Sequence, residues 1–158
     1  MTANLSNSEI GECRLKPDLQ LVAATLSAMK EFFQARGLRP NAWSELELAA
    51  AEALNNAIEH GCAGHPEAEV VCRWRWTDET IRIEITDAGN YQPPRGDASL
   101  PDDPLAEEGR GAFLIARLVD TVEHAFSAEG HSIRLTKRVA LAEMMAVRSN
   151  SSKTQNKG

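Results

Sequence analysis

No run of apolar residues in the 158-residue chain approaches the roughly 20 needed to span a bilayer. The opening residues, Met1 to Glu9, lack the basic-then-apolar order of a secretory leader. Both absences point to a cytoplasmic protein with no membrane partner. Cysteine is scarce. Cys13, Cys62 and Cys72 are odd in number and far apart, which argues against a disulfide framework and fits a reducing compartment. His60, Cys62 and His65 do cluster, but at no zinc spacing and with no fourth ligand nearby. Positive charge is also short: 17 Lys and Arg stand against 23 Asp and Glu, a net charge of −6. A general nucleic-acid binder needs the opposite balance to neutralise phosphates, so nucleic acid is not an expected partner.

What is present is ordinary for one globular domain, with 42% hydrophobic and 25% charged residues. Residues 10–16 alternate well enough for a strand. Pro17-Asp18 then offers a helix start, and apolar residues recur at helical spacing from Leu19 to Ala35, with Gly37 placed to end the helix. Pro40-Asn41 opens a second helix, with Asn41 as its expected N-cap. Glu69–Thr77 and Thr80–Thr86 show period-two patterning on either side of Asp78-Glu79, the signature of an antiparallel hairpin whose arginines face solvent. Tyr91 to Glu108 carries four prolines and few apolar residues, the composition of a lid or a disordered segment. Gly109-Arg110-Gly111 then leads into an apolar-faced helix ending near Val119. Val122–Ala128 and His131–Val139 make a second hairpin, turned at Ala128-Glu129-Gly130. The expected organisation is a tail at 1–9, one domain at 10–139 and an extension at 140–158, unstructured at its end. Helices and antiparallel strands in these blocks imply an α+β fold, a two-layer α/β sandwich.

The second helix is the informative one. Trp43, Leu46, Ala50, Ala53, Leu54 and Ala57 fall on one side at about 100° per residue. Glu52, Asn55, Asn56 and Glu59 fall on the other, with His60 at the edge of that arc. A solvated helix face normally carries lysine–glutamate pairs, yet no Lys or Arg occurs from Pro40 to Ala63. Two asparagines in succession also cost helix stability for no local gain. The arrangement reads either as a slightly unfavourable solvated face or as hard oxygen chemistry offered to a small site. Mg²⁺ takes one or two protein oxygens and the rest from water and phosphates, and a nearby carboxylate can act as a general base.

Further along, Gly109-Arg110-Gly111 opens a helix, where backbone N–H groups and the helix dipole favour an anion. Asp87, at a strand end before Gly89, is either a turn former or an acceptor for an exocyclic amino group such as that of adenine. Each signal alone is weak. Their order along the chain is specific.

In that order the sequence resembles the ATP-binding superfamily shared by gyrase, heat-shock chaperones, histidine kinases and MutL. Within it, the chain is similar to the anti-sigma-factor serine-protein kinases of the RsbW and SpoIIAB type. Glu52-Ala53-Leu54-Asn55-Asn56-Ala57-Ile58-Glu59-His60-Gly61 resembles their N-box, Ile85-Thr86-Asp87-Ala88-Gly89 their adenine box, and Gly109-Arg110-Gly111-Ala112-Phe113-Leu114-Ile115 their second glycine box. The resemblance covers roughly residues 10–139. It implies a Bergerat-type fold: a mixed, mostly antiparallel sheet covered on one face by about three helices.

It also implies roles. Asn56 would hold Mg²⁺, Glu52 would be the catalytic base or water-orienting group, and Asp87 would bind the adenine amino group with Gly89 beside the ring. The Gly109–Ala112 backbone would cradle the phosphates of ATP or ADP. His60, Arg95, Arg110 and Phe113 would complete the ATP-binding set, and Ser132 would supply a hydroxyl near the adenine. The activity implied is transfer of the γ-phosphoryl group to a serine or threonine of a STAS-domain anti-anti-sigma protein. A sigma factor or equivalent target is the second partner, and a homodimer is the implied assembly, with Leu15 and its apolar neighbours as the sequence feature in its favour. Glu107-Glu108 depart from the family, which in some members carries an arginine at the lid's end, so Arg110 or Arg95 would have to provide that charge. The alternative implied by this departure is a nucleotide-binding, partner-sequestering module without phosphotransfer.

Overall fold

A computed structural model describes residues 2–4, 10–77, 79–89, 110–140 and 144. Alternation of apolar and polar residues builds the strands β1 (Thr2–Asn4), β2 (Ile10–Leu15), β3 (Val70–Thr77), β4 (Thr80–Asp87), β5 (Thr121–Ser127) and β6 (Gly130–Arg138). They form one six-stranded sheet in the order β1-β2-β3-β4-β6-β5. All five pairings are antiparallel, so no mixed character is found among the described strands. Thr2–Asn4, expected as tail, adds the edge strand beside β2.

Three helices, α1 (Val22–Ala35), α2 (Pro40–Asn56) and α3 (Arg110–Leu118), cover one face of the sheet. A short 3-10 turn, Leu19–Leu21, precedes α1, and the Asp18 carboxylate caps it by accepting from the Gln20 N–H at 2.9 Å. Gly37, at φ 101°, ends α1, with its N–H donating to the Gln34 carbonyl. The α2 N-cap is Arg39 rather than Asn41. Pro40 takes the first helical position, where its missing N–H costs nothing, and no side chain caps the turn.

The core lies between the layers. Ile81, Ile83 and Ile85 of β4 and Leu135 of β6 are fully buried against Leu46, Ala50, Ala53 and Leu54 of α2. Each large side chain there contributes about 1.5–3 kcal/mol of transfer free energy. Leu15 is also fully buried, so packing inside the protomer accounts for its apolarity and it offers no surface to a second copy. On the open face, Glu12–Arg73 at 2.7 Å and Glu84–Arg134 at 2.7 Å tie neighbouring strands.

Lys137, on β6, fixes how α3 lies on α2. Its ammonium donates to the Leu118 carbonyl at 2.8 Å, at the C-terminal end of α3, and to the Glu45 carboxylate of α2 at 2.7 Å. A cation at a helix C-terminus is the favourable end of the dipole.

Candidate functional site

The N-terminal turn of α3 rests against the polar face of α2. Glu52, Asn55 and Asn56 are half-buried there. Gly111 lies directly under the Glu52 carboxylate: a Cβ at position 111 would collide with Glu52 Oε1 and sit 3.1 Å from Cγ and Cδ. The carboxylate of α2 thus packs on the first turn of α3, in space that a side chain at position 111 would have to share. Those first-turn N–H groups have no partner within their own helix. Arg110 and Ala112 are exposed on this turn, and Phe113 is half-buried beneath the Arg117 guanidinium, 5.2 Å from the ring centroid.

The far end of α2 makes the second half. At Ala57–Gly61 the helix widens into a π turn, a departure that often accompanies functional sites. The turn drives Gly61 against β4: a Cβ on Gly61 would meet the Asp87 carboxylate, and one on Gly89 would meet the Gly61 carbonyl. His60, on the same turn, is exposed.

Asp87 is 4% exposed. Its Oδ1 accepts the Gly89 N–H at 2.9 Å, closing the turn, and its Oδ2 lies 3.2 Å from His131 Nδ1. His131 Nε2 is in turn 2.9 Å from His124 Nδ1, with the two rings stacked at a 17° interplanar angle. Burial and the adjacent His131 push the His124 imidazole below its usual range. Burial raises the Cys62 thiol, opposed in part by a hydrogen bond with the Ala88 backbone and reinforced by the nearby Asp87 charge, so this cysteine stands protonated beside the site.

The structure therefore brings Glu52, Asn56, Gly111, Asp87 and Gly89 to one side of the sheet. Ser132 is not among them. Side chains alternate along β6, so His131, Ile133 and Leu135 point toward the helices and Ser132 points away, where its hydroxyl lies 2.8 Å from that of Thr86 on the open face. The residue that faces Asp87 is His131, its cross-strand partner in the sheet register. The signal was available: His131 has the same parity as the apolar Ile133 and Leu135. Cys62 gave no such signal, because its approach to Asp87 is made only by the tertiary fold. Arg95, Gly109, Glu107, Glu108 and the rest of the expected lid lie outside the described residues.

Residues 15–137 match the family described as histidine kinase-like ATPase domain. Curated relatives include the serine-protein kinase RsbW of Listeria innocua and that of Listeria monocytogenes. Each is 24% identical over 111 residues, covering 65% of this chain and 70% of the relative. Among solved structures, the RsbU and RsbW domains of Rv1364c from Mycobacterium tuberculosis superpose with a TM-score of 0.59 at 17% identity over 80% of this chain. The chain spans about a third of that larger protein, 32% of its length, and the likeness is one of fold.

Proposed function

The chain belongs to the histidine kinase-like ATPase domain family, and from that premise we propose that it is an ATP- and Mg²⁺-dependent protein-serine/threonine kinase of a bacterial partner-switching system. Its substrate is a STAS-domain anti-anti-sigma protein, and its second partner is a sigma factor or equivalent regulated protein. The observation that carries this reading is the seating of the Glu52 carboxylate over Gly111, on the first turn of α3, with the Asn56 carboxamide one helical turn further along the same polar face of α2.

The donor set fits a magnesium nucleotide. Hard oxygens, backbone amides and a glycine cradle are what a triphosphate with its cation requires, and among the described residues no His/Cys/Asp/Glu cluster offers an alternative metal site. When bound, Mg-ATP supplies the transferable phosphoryl group and the neutralising cation. The chain supplies position. Asn56 contributes its carboxamide oxygen to the metal, and the first-turn N–H groups of α3 hold phosphate oxygens. Asp87 accepts from the amino group of the base, and Glu52 receives the proton of the incoming hydroxyl.

Incubation with the STAS partner and labelled ATP tests the reading directly. Phosphate should appear on the partner, and Glu52→Ala should abolish transfer while leaving the fold intact. Transfer unchanged by that substitution would remove Glu52 as the base. ATP binding with no phosphorylated product would favour the sequestering module to which Glu107-Glu108 point.

A further inference from the structure

Asp87 is held by more than its own turn. An ionised carboxylate can only accept, so the 3.2 Å contact with His131 places a proton on His131 Nδ1. The other nitrogen of a neutral His131 must then accept, and His124 Nδ1 at 2.9 Å is the donor. With both rings neutral, each then carries its proton at Nδ1, and three residues form one directed chain: His124 to His131 to Asp87. Its middle member is 5% exposed, walled by the Phe126 ring at 5.0 Å between centroids. Carrying a second proton reverses only the outer link. His131 Nε2–H would then donate to His124 Nδ1, and Nδ1 would still donate to Asp87.

We propose that His131 is a positioning residue that sets base specificity: its Nδ1–H holds the Asp87 carboxylate in place as an acceptor-only group. The pocket then selects a base that presents an amino donor, as adenine does, and rejects one that presents a carbonyl there, as guanine and hypoxanthine do. Asp87 Oδ1 is already tied to the Gly89 N–H, so the two bonds together fix both oxygens and leave one lone pair on each. Mismatch of a buried acceptor with a carbonyl is the costly outcome that makes such a site selective. This inference rests on the nucleotide-binding reading.

The test compares ATP, GTP and inorganic tripolyphosphate, each with Mg²⁺, by calorimetry on the wild type, His131→Leu and His131→Asn. His131→Leu should weaken ATP about tenfold while GTP and tripolyphosphate change less than about twofold, because only the base contact is lost. His131→Asn, whose Nδ2 can stand in for Nδ1, should recover ATP to within about threefold. An equal loss for ATP and tripolyphosphate, or an unchanged ATP-to-GTP ratio, overturns the inference. Wild-type protein that binds tripolyphosphate but no ATP overturns it too, whereas binding of neither overturns the nucleotide reading itself. Should His131→Leu not fold, nitrogen NMR of the wild type decides. Protonation of His131 at Nδ1 is expected, and a proton on Nε2 alone sinks the proposal.

Discussion

Glu52 and Gly111 are in contact across two helices, and the carboxylate occupies the place where a side chain at position 111 would stand. A side chain at position 111 would therefore have to displace the Glu52 carboxylate, whatever it did for helix α3 itself.

Gly111→Ala therefore separates stability from binding. Alanine gains up to about 1 kcal/mol of helix propensity, which offsets the local displacement of Glu52. The thermal midpoint should move by no more than a few degrees. ATP affinity should fall about tenfold or more, because the first turn of α3 and the Glu52 carboxylate can no longer approach. Unchanged affinity in a folded variant would show that this contact does not define the nucleotide site.

Gly89→Ala should behave differently. Its Cβ would meet the Gly61 carbonyl, a backbone atom that cannot swing aside as the end of a long side chain can. A loss of roughly 1–3 kcal/mol in urea denaturation is expected, together with lost ATP binding. A neutral midpoint would mean that the π turn and β4 separate freely.

Lys137→Met keeps the aliphatic stem and removes both bonds of the ammonium, to the Leu118 carbonyl and the Glu45 carboxylate. Glu45 is more than half exposed, so solvent screens that pair and the carbonyl bond dominates. A destabilisation of about 1–2 kcal/mol in chemical denaturation is expected. A larger effect on ATP affinity than on stability would indicate that α3 has shifted on α2.

Stability should also depend on His124. Burial first, and the neighbouring His131 second, lower its pKa from the ordinary 6.5, so the unfolded chain takes up this proton at a higher pH than the folded one. The unfolded state then binds more protons, and stability rises with pH across that window. The His124 contribution is complete above the ordinary value and is lost as pH falls below it. The group facing this ring is His131, which in turn meets Phe126 and Asp87. The urea midpoint of the wild type should drop more than that of His124→Asn when the pH is lowered from about 8 to about 5.5. Parallel drops would contradict the assignment.

Much of this architecture was legible before any coordinates. The alternation of Val70, Cys72 and Trp74, and of Ile81, Ile83 and Ile85, reports directly which side of each strand meets the helices. The polar face of α2 was visible because Asn55 and Asn56 break the habits of a solvated helix. What escaped was set by context. Ala57-Ile58-Glu59-His60 reads as ordinary helix, whereas the folded chain forms a π turn there, packed against β4. Thr2–Asn4 is too short and polar to announce a strand, and it is ordered by the exposed edge of β2. Ser132 lies on the face opposite Asp87, because a step of one residue in a strand turns a side chain over. Pro40 displaced Asn41 from the cap by taking the first helical position itself.

The central claim is that a magnesium nucleotide docks between the Asn56 side of α2 and the amide turn of α3. Titration of ATP into the folded protein, with and without Mg²⁺ and with Asn56→Ala alongside, tests it most directly. The account predicts a saturable heat for the wild type that weakens at least about tenfold when either the metal or the Asn56 carboxamide is removed. No heat from well-folded wild type with Mg²⁺ present, or binding indifferent to both removals, would contradict it.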